Sequence, residues 1–243
     1  KQCVVAPPSD EPVPEDTHQP VTRRRPEGQY IMDQNTSPIA PGRWAYLNIE
    51  IQHFFKVYAI AYQVPNAPTQ LRPQVRALLR HGVESSVTQP FLACMADIMF
   101  FGVGEEDKPL AEFKEYLATG LTLEAFAGLQ NGNLVTTFAD TEKTTPAQLA
   151  EVDVSEHTGS PLRKQNAEQG TDHSFARLVL AFRRFRAYLR SPTAMIDHTY
   201  TWDLVCAPGV HASHPEGINL IILEIPETDS TTNVSILCPS NHY

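Results

Sequence analysis

Residues 173–190 read HSFARLVLAFRRFRAYLR. Phe175, Leu178, Val179, Phe182, Phe185 and Leu189 recur at the three-and-four spacing that places them on one broad face of a helix. Arg177, Arg183, Arg184, Arg186 and Arg190 fall mostly elsewhere on the wheel. Asp172 stands where an N-cap would accept an amide, and Ser191-Pro192 stops the helix. An apolar face this wide must be covered by other elements, so the neighbouring sequence decides the fold class.

Toward the C-terminus the pattern changes. Tyr200, Trp202, Leu204 and Cys206 alternate with polar or small residues, which predicts a strand. Ile218 to Ile225 (INLIILEI) is a nearly continuous apolar run, expected as a strand buried on both faces. Asn233 to Cys238 predicts another strand. The connection Pro226 to Thr232 carries no glycine and no Asn-Gly pair, so a tight two-residue hairpin is not expected.

Toward the N-terminus, residues 44–130 are apolar and mostly helical by pattern. Trp44 to Val64 fits both periods and is assigned mostly helix. Thr69 predicts the cap of a helix carrying Leu71, Val75, Leu78 and Leu79, with Gly82 beyond its end. Helices are also expected over 88–100, from Pro109 to Gly120, and over Leu121 to Leu129 before the turn Asn131-Gly132-Asn133. Residues 141–172 are polar. Only Pro146 to Val152 looks helical there, and so long a loop is expected to be functional or docked on something.

The first 43 residues differ again. They hold Pro7, Pro8, Pro12, Pro14, Pro20, Pro26, Pro38 and Pro41, the run Arg23-Arg24-Arg25, and little apolar periodicity. Ordering a backbone residue costs about 1–2 kcal/mol, and such a segment buries too little of its own surface to offset that. If it is ordered, a neighbouring surface must hold it. The expected fold class is therefore α+β: a helix-rich N-terminal and central part and a strand-rich C-terminal tail, preceded by an extended proline-rich arm. The expected organisation is an arm over 1–43 and a single domain over 44–243.

Composition bounds the function. Of 243 residues, 42% are hydrophobic and 19% charged, as in an ordinary globular protein, and the net charge of −9 disfavours coating nucleic acid by bulk electrostatics. No apolar run reaches the ~20 residues of a membrane-spanning helix. Cys3, Cys94, Cys206 and Cys238 are scattered and form no CxxC pair, so four free thiols in a reducing compartment are expected. The chain starts at Lys1, as a processed or partial chain would.

Three clusters could carry chemistry. Cys206, His211, His214, Cys238 and His242 have the donor types zinc accepts, but not the spacing of a standard knuckle, so no metal or other cofactor is expected. Cys206 with His211, or Cys238 with His242, could form a thiol nucleophile and its base, the arrangement of a cysteine-dependent hydrolase or transferase. His198, Asp197 and Asp203 are further partners for Cys206. Arg183, Arg184 and Arg186 could contact a neighbouring subunit or, against the net charge, phosphates of a nucleic acid. Phosphate-loop, dinucleotide, HExxH and GxSxG signatures are missing from the sequence.

The reading that gathers most of these features is a structural subunit of a large assembly, in the manner of a viral capsid or capsid-associated protein. Its arm, with Pro7, Pro8, Pro12, Pro14 and Arg23 to Arg25, would dock on copies of itself or on other subunits. The expected location is a virion or the cell interior. A cysteine enzyme and a non-viral scaffold module are the alternatives.

Overall fold

Prolines break up the first half of the body. Pro65, Pro68 and Pro73 each remove a backbone donor, and each pushes the preceding residue out of the helical region. Short strands and one-turn pieces result. The computed structural model describes residues 4–5, 30–100, 109–140, 143–168, 173–211, 214–225 and 234–238. It divides into two units, residues 1–110 with 219–242, and residues 111–218. Helices and small antiparallel sheets together make it an α+β protein.

The first unit contains β1 (Val4–Val5), β2 (Trp44–Tyr46), α1 (Ile49–Phe55), β3 (Gln63–Val64), β4 (Ala67–Leu71), β5 (Leu79–His81), α2 (Pro90–Phe100), β6 (Ile222–Glu224) and β7 (Ser235–Leu237). Its largest sheet has the order β1-β5-β2, antiparallel at both contacts. β3 and β4 form a hairpin around Pro65-Asn66. β6 and β7 pair separately, with Glu224 opposite Ser235. Ile31, Tyr46, Ala59, Ala77 and Leu79 form a core, with Trp44, Tyr62 and Leu71 packed on it.

Several expectations are corrected here. The helix capped by Thr69 does not form, because Pro73 sits inside its pattern; β4 and β5 take its place. Trp44 to Val64 is a strand, a two-turn helix and a 3-10 turn rather than mostly helix. Residues 30–43, expected to be arm, include Ile31 and Ile39 at 1% and 4% exposure, and Met32 bridges to Ala45. The apolar run 218–225 is strand only over β6, with Ile221 exposed and β6 half-buried, so it is not a strand covered on both faces.

The second unit is helical: α3 (Pro109–Gly120), α4 (Leu123–Gly128), α5 (Asn133–Ala139), α6 (Pro146–Ala150), α7 (Pro161–Glu168), α8 (Ser174–Arg190) and α9 (His198–Cys206). α8 is the expected helix and the centre of the unit, with α4, α5, α6 and α7 packed on it. Phe175, Leu178, Val179, Phe182, Phe185 and Leu189 are all buried, as is Ala181. Each large side chain so buried contributes about 1.5–3 kcal/mol. Phe126, Phe182 and Phe185 form one aromatic cluster, which Phe138, Tyr188 and Tyr200 extend.

His173 occupies the N-cap of α8, and Asp172 lies outside the described residues. The polar stretch 141–172 is not one long loop. Thr145 and Gln148 close a capping box on α6, Leu149 is buried, and α7 follows. Residues 200–206 are helix, not strand. The Asp197 carboxylate accepts the Thr199 amide at 2.9 Å, which starts α9. Thr201, Leu204 and Val205 then point inward at helical spacing.

Candidate functional site

The candidate cysteines and histidines of the C-terminal region fall in different settings. Cys206 ends helix α9 in the second unit and is 1% exposed, whereas Cys238 follows β7 in the first unit and is exposed. Burial, with the charge of Asp203, pushes the Cys206 thiol up to about 12, so it stays protonated and is a poor nucleophile at neutral pH. His211 is fully buried, stacks on Phe113 at 5.8 Å and donates from Nε2 to the Val205 carbonyl at 2.9 Å. Burial holds its pKa below 6.5, and among the described residues Nδ1 meets no hydrogen-bond partner. This ring is a packed structural group. The His214 amide donates to the His211 carbonyl. His242 lies outside the described residues. Among the described residues, no three His, Cys, Asp or Glu side chains gather as a metal site would require.

The arginines of α8 bond within the second unit. Arg184 donates from Nη1 to the Ala139 carbonyl at 2.7 Å, at the C-terminus of α5. Arg186 donates from Nε to the Ala118 carbonyl at 2.7 Å, in the last turn of α3, and lies over the Phe182 ring. Arg183 donates to the Asp153 carbonyl at 2.6 Å. Cations placed on the orphan carbonyls of helix C-termini stabilise those ends. Arg190 makes a two-pronged pair with Glu115 at 2.7 and 2.8 Å, which holds the Glu115 carboxyl down to about 2.

The site that stands out lies around β5. Pro7, Pro8, Pro12, Pro14 and Arg23 to Arg25 lie outside the described residues, but β1 does not. Val4 pairs with Arg80 and Val5 with Leu79, so a strand from the far N-terminus completes the sheet. β5 is buried along its whole length, Arg80 and His81 included.

Arg80 donates from Nε to the Tyr46 carbonyl at 2.7 Å and from Nη2 to the Gln34 carbonyl at 2.9 Å. Burial lowers its pKa, while Asp33 opposes that. His81 Nδ1 meets Asp97 Oδ2 at 2.8 Å, fastening β5 to α2, and Trp44 packs on the imidazole at 4.4 Å. Gly82 ends the strand against Ala40. A Cβ there would stand 2.1 Å from the Ala40 carbonyl oxygen, so only glycine fits.

Two further observations belong to this unit. Cys94, one turn before Asp97 on α2, is disulfide-bonded, while Cys206 and Cys238 are free. The expectation of four free thiols is thereby corrected. Scattered spacing does not report pairing, which needs Cα atoms within ~7 Å in the fold. Phe54, Phe55, Tyr58 and Ile60 are 42–76% exposed, although they crowd into seven residues. The sequence reading missed the His81–Asp97 pair because its partners are 16 residues apart on a strand and a helix.

Compared with protein-family models, with curated proteins and with solved structures, the chain matches none. Among the described residues, no helix is long and apolar enough to cross a membrane.

Proposed function

We propose that this chain is a structural subunit of an assembly of its own copies, a coat or capsid type of protein, tied together by its N-terminal strand. The observation that carries this reading is β1, a two-residue strand that completes a sheet although residues 6–29 separate it from the body. A strand on an edge supplies backbone pairing that any copy of the same sequence can supply. The 24 residues from 6 to 29 can extend to at most about 80 Å, well beyond the ~30 Å breadth of a small domain. A neighbour's β5 is therefore within reach of the same strand in the same register.

The exposed run Phe54, Phe55, Tyr58 and Ile60 supports the reading, since contiguous apolar surface on a soluble chain marks a contact. A second copy is the occupant assigned to it. The burial of Cys206 weighs against the thiol-enzyme alternative that used it. The test is removal of residues 1–29, leaving Tyr30 onward, because Ile31 and Ile39 are core. Loss of assembly with an unchanged far-ultraviolet dichroism of the remainder is the expected result. A truncated chain that assembles like the full one contradicts it.

A further inference from the structure

The β6–β7 ribbon keeps an apolar face in solvent. Leu223 is opposite Ile236, and directly opposite residues of an antiparallel pair project to the same face. Ile221 and Ile225, one residue beyond each end of β6, fall on that face by the alternation of an extended chain. Ile221, Ile225 and Ile236 are 63%, 38% and 48% exposed, and Leu223 is half-buried. Ile222, Glu224, Ser235 and Leu237 belong to the ribbon's other face. Among the described residues, β6 and β7 pack chiefly on each other. A lone two-stranded ribbon is marginal in water until something covers its apolar face.

The exposed face is also free of charge. The one ionisable side chain of the two strands, Glu224, lies on the other face. Across a two-fold axis a surface meets its own copy, so a charged face opposes like charges and an uncharged aliphatic face does not. The pattern therefore suits a second copy better than a partner selected by charge.

We propose that the face carrying Ile221, Leu223, Ile225 and Ile236 is a self-contact, packed on the same face of a second copy about a two-fold axis. Sheet faces pack about 10 Å apart with their side chains interdigitated. The contact rests on the assembly reading, because these side chains alone fall short of the ~1,200 Å² of a stable interface. It closes between copies that the N-terminal strand already ties together, where the tether raises the effective concentration of one ribbon at the other.

The test is light scattering of the full chain over a range of concentrations, beside Ile236→Lys, Ile236→Glu and Ser235→Lys in the full chain. Ile236→Lys and Ile236→Glu should each raise the concentration of half-dissociation by roughly tenfold or more. An equimolar mixture of the two should restore it, since opposite charges then meet across the axis. Ser235→Lys, on the ribbon's other face, should leave it unchanged. An assembling chain whose Ile236 variants dissociate at the same concentration, or a mixture that restores nothing, overturns the self-contact and leaves the strand tie standing. A Val4→Pro, Val5→Pro chain that stays assembled and is split by Ile236→Lys supports the self-contact and sinks the strand tie. A monomeric full chain overturns both. If that monomer sediments with phosphatidylcholine vesicles and Ile236→Lys abolishes the binding, the face belongs to a lipid surface instead.

Discussion

The helical unit around α8 and the small sheet around β5 solve the same problem in opposite ways. α8 brings its own apolar face of seven buried residues and is covered by helices from within residues 111–218. Its cations bond to helix ends and a carboxylate of the same unit. β5 has three residues, all buried, and depends on β2, α2 and a strand more than seventy positions away. The proposed entry of another copy is tied to the sheet, because a remote two-residue strand completes it.

The largest expected effect lies in the self-contained unit. Phe185 is fully buried among Phe126, Phe138 and Tyr188, so Phe185→Ala should cost about 3–5 kcal/mol, measured by chemical denaturation. A loss below ~1 kcal/mol would mean that the aromatic cluster is not the core. The sheet should be sensitive through backbone fit instead. Gly82→Ala forces a methyl onto the Ala40 carbonyl and should cost about 1–3 kcal/mol while shifting amide signals in residues 39–43. An unperturbed Gly82→Ala chain would show that this strand end is not clamped.

His211 sets a pH dependence for the second unit. The unfolded chain takes up a proton near pH 6.5, while the buried imidazole takes it up only at lower pH. Its contribution is fully present above about pH 6.5 and falls as pH drops below that, by up to about 1.4 kcal/mol per pH unit. Denaturation at several pH values should show this slope, and His211→Gln, which can still donate to Val205, should flatten it. An identical slope in both proteins contradicts the assignment. Arg184→Ala, which removes a partner from the Ala139 carbonyl, is the smallest change, about 0.5–1.5 kcal/mol by the same measurement. A negligible loss would leave this arginine available for an outside partner.

The same contrast governs how far the sequence could be read. α8 was legible because seventeen residues hold one period, and α2 and α3 because a proline opens each. α9 looks like a strand in the sequence because over residues 200–206 alternation and helical spacing share Leu204, and only the Asp197 cap separates the two. α5 and α7 went unseen for lack of a strong apolar face. β4 and β5 were hidden because tertiary pairing, not local propensity, defines strands of three to five residues. In the candidate site, the Val4–Arg80 register and the His81–Asp97 pair were not legible, since both are contacts between distant positions, and local pattern does not report whether Cys94 is paired.

The proposed tie between copies through the N-terminal strand can be read by light scattering of the purified protein. The full chain should have a mass of at least twice the 27.1 kDa of one chain, and residues 30–243 the mass of a single folded chain. A full chain that is monomeric at every concentration, or a truncated chain with the same multiple mass, contradicts it.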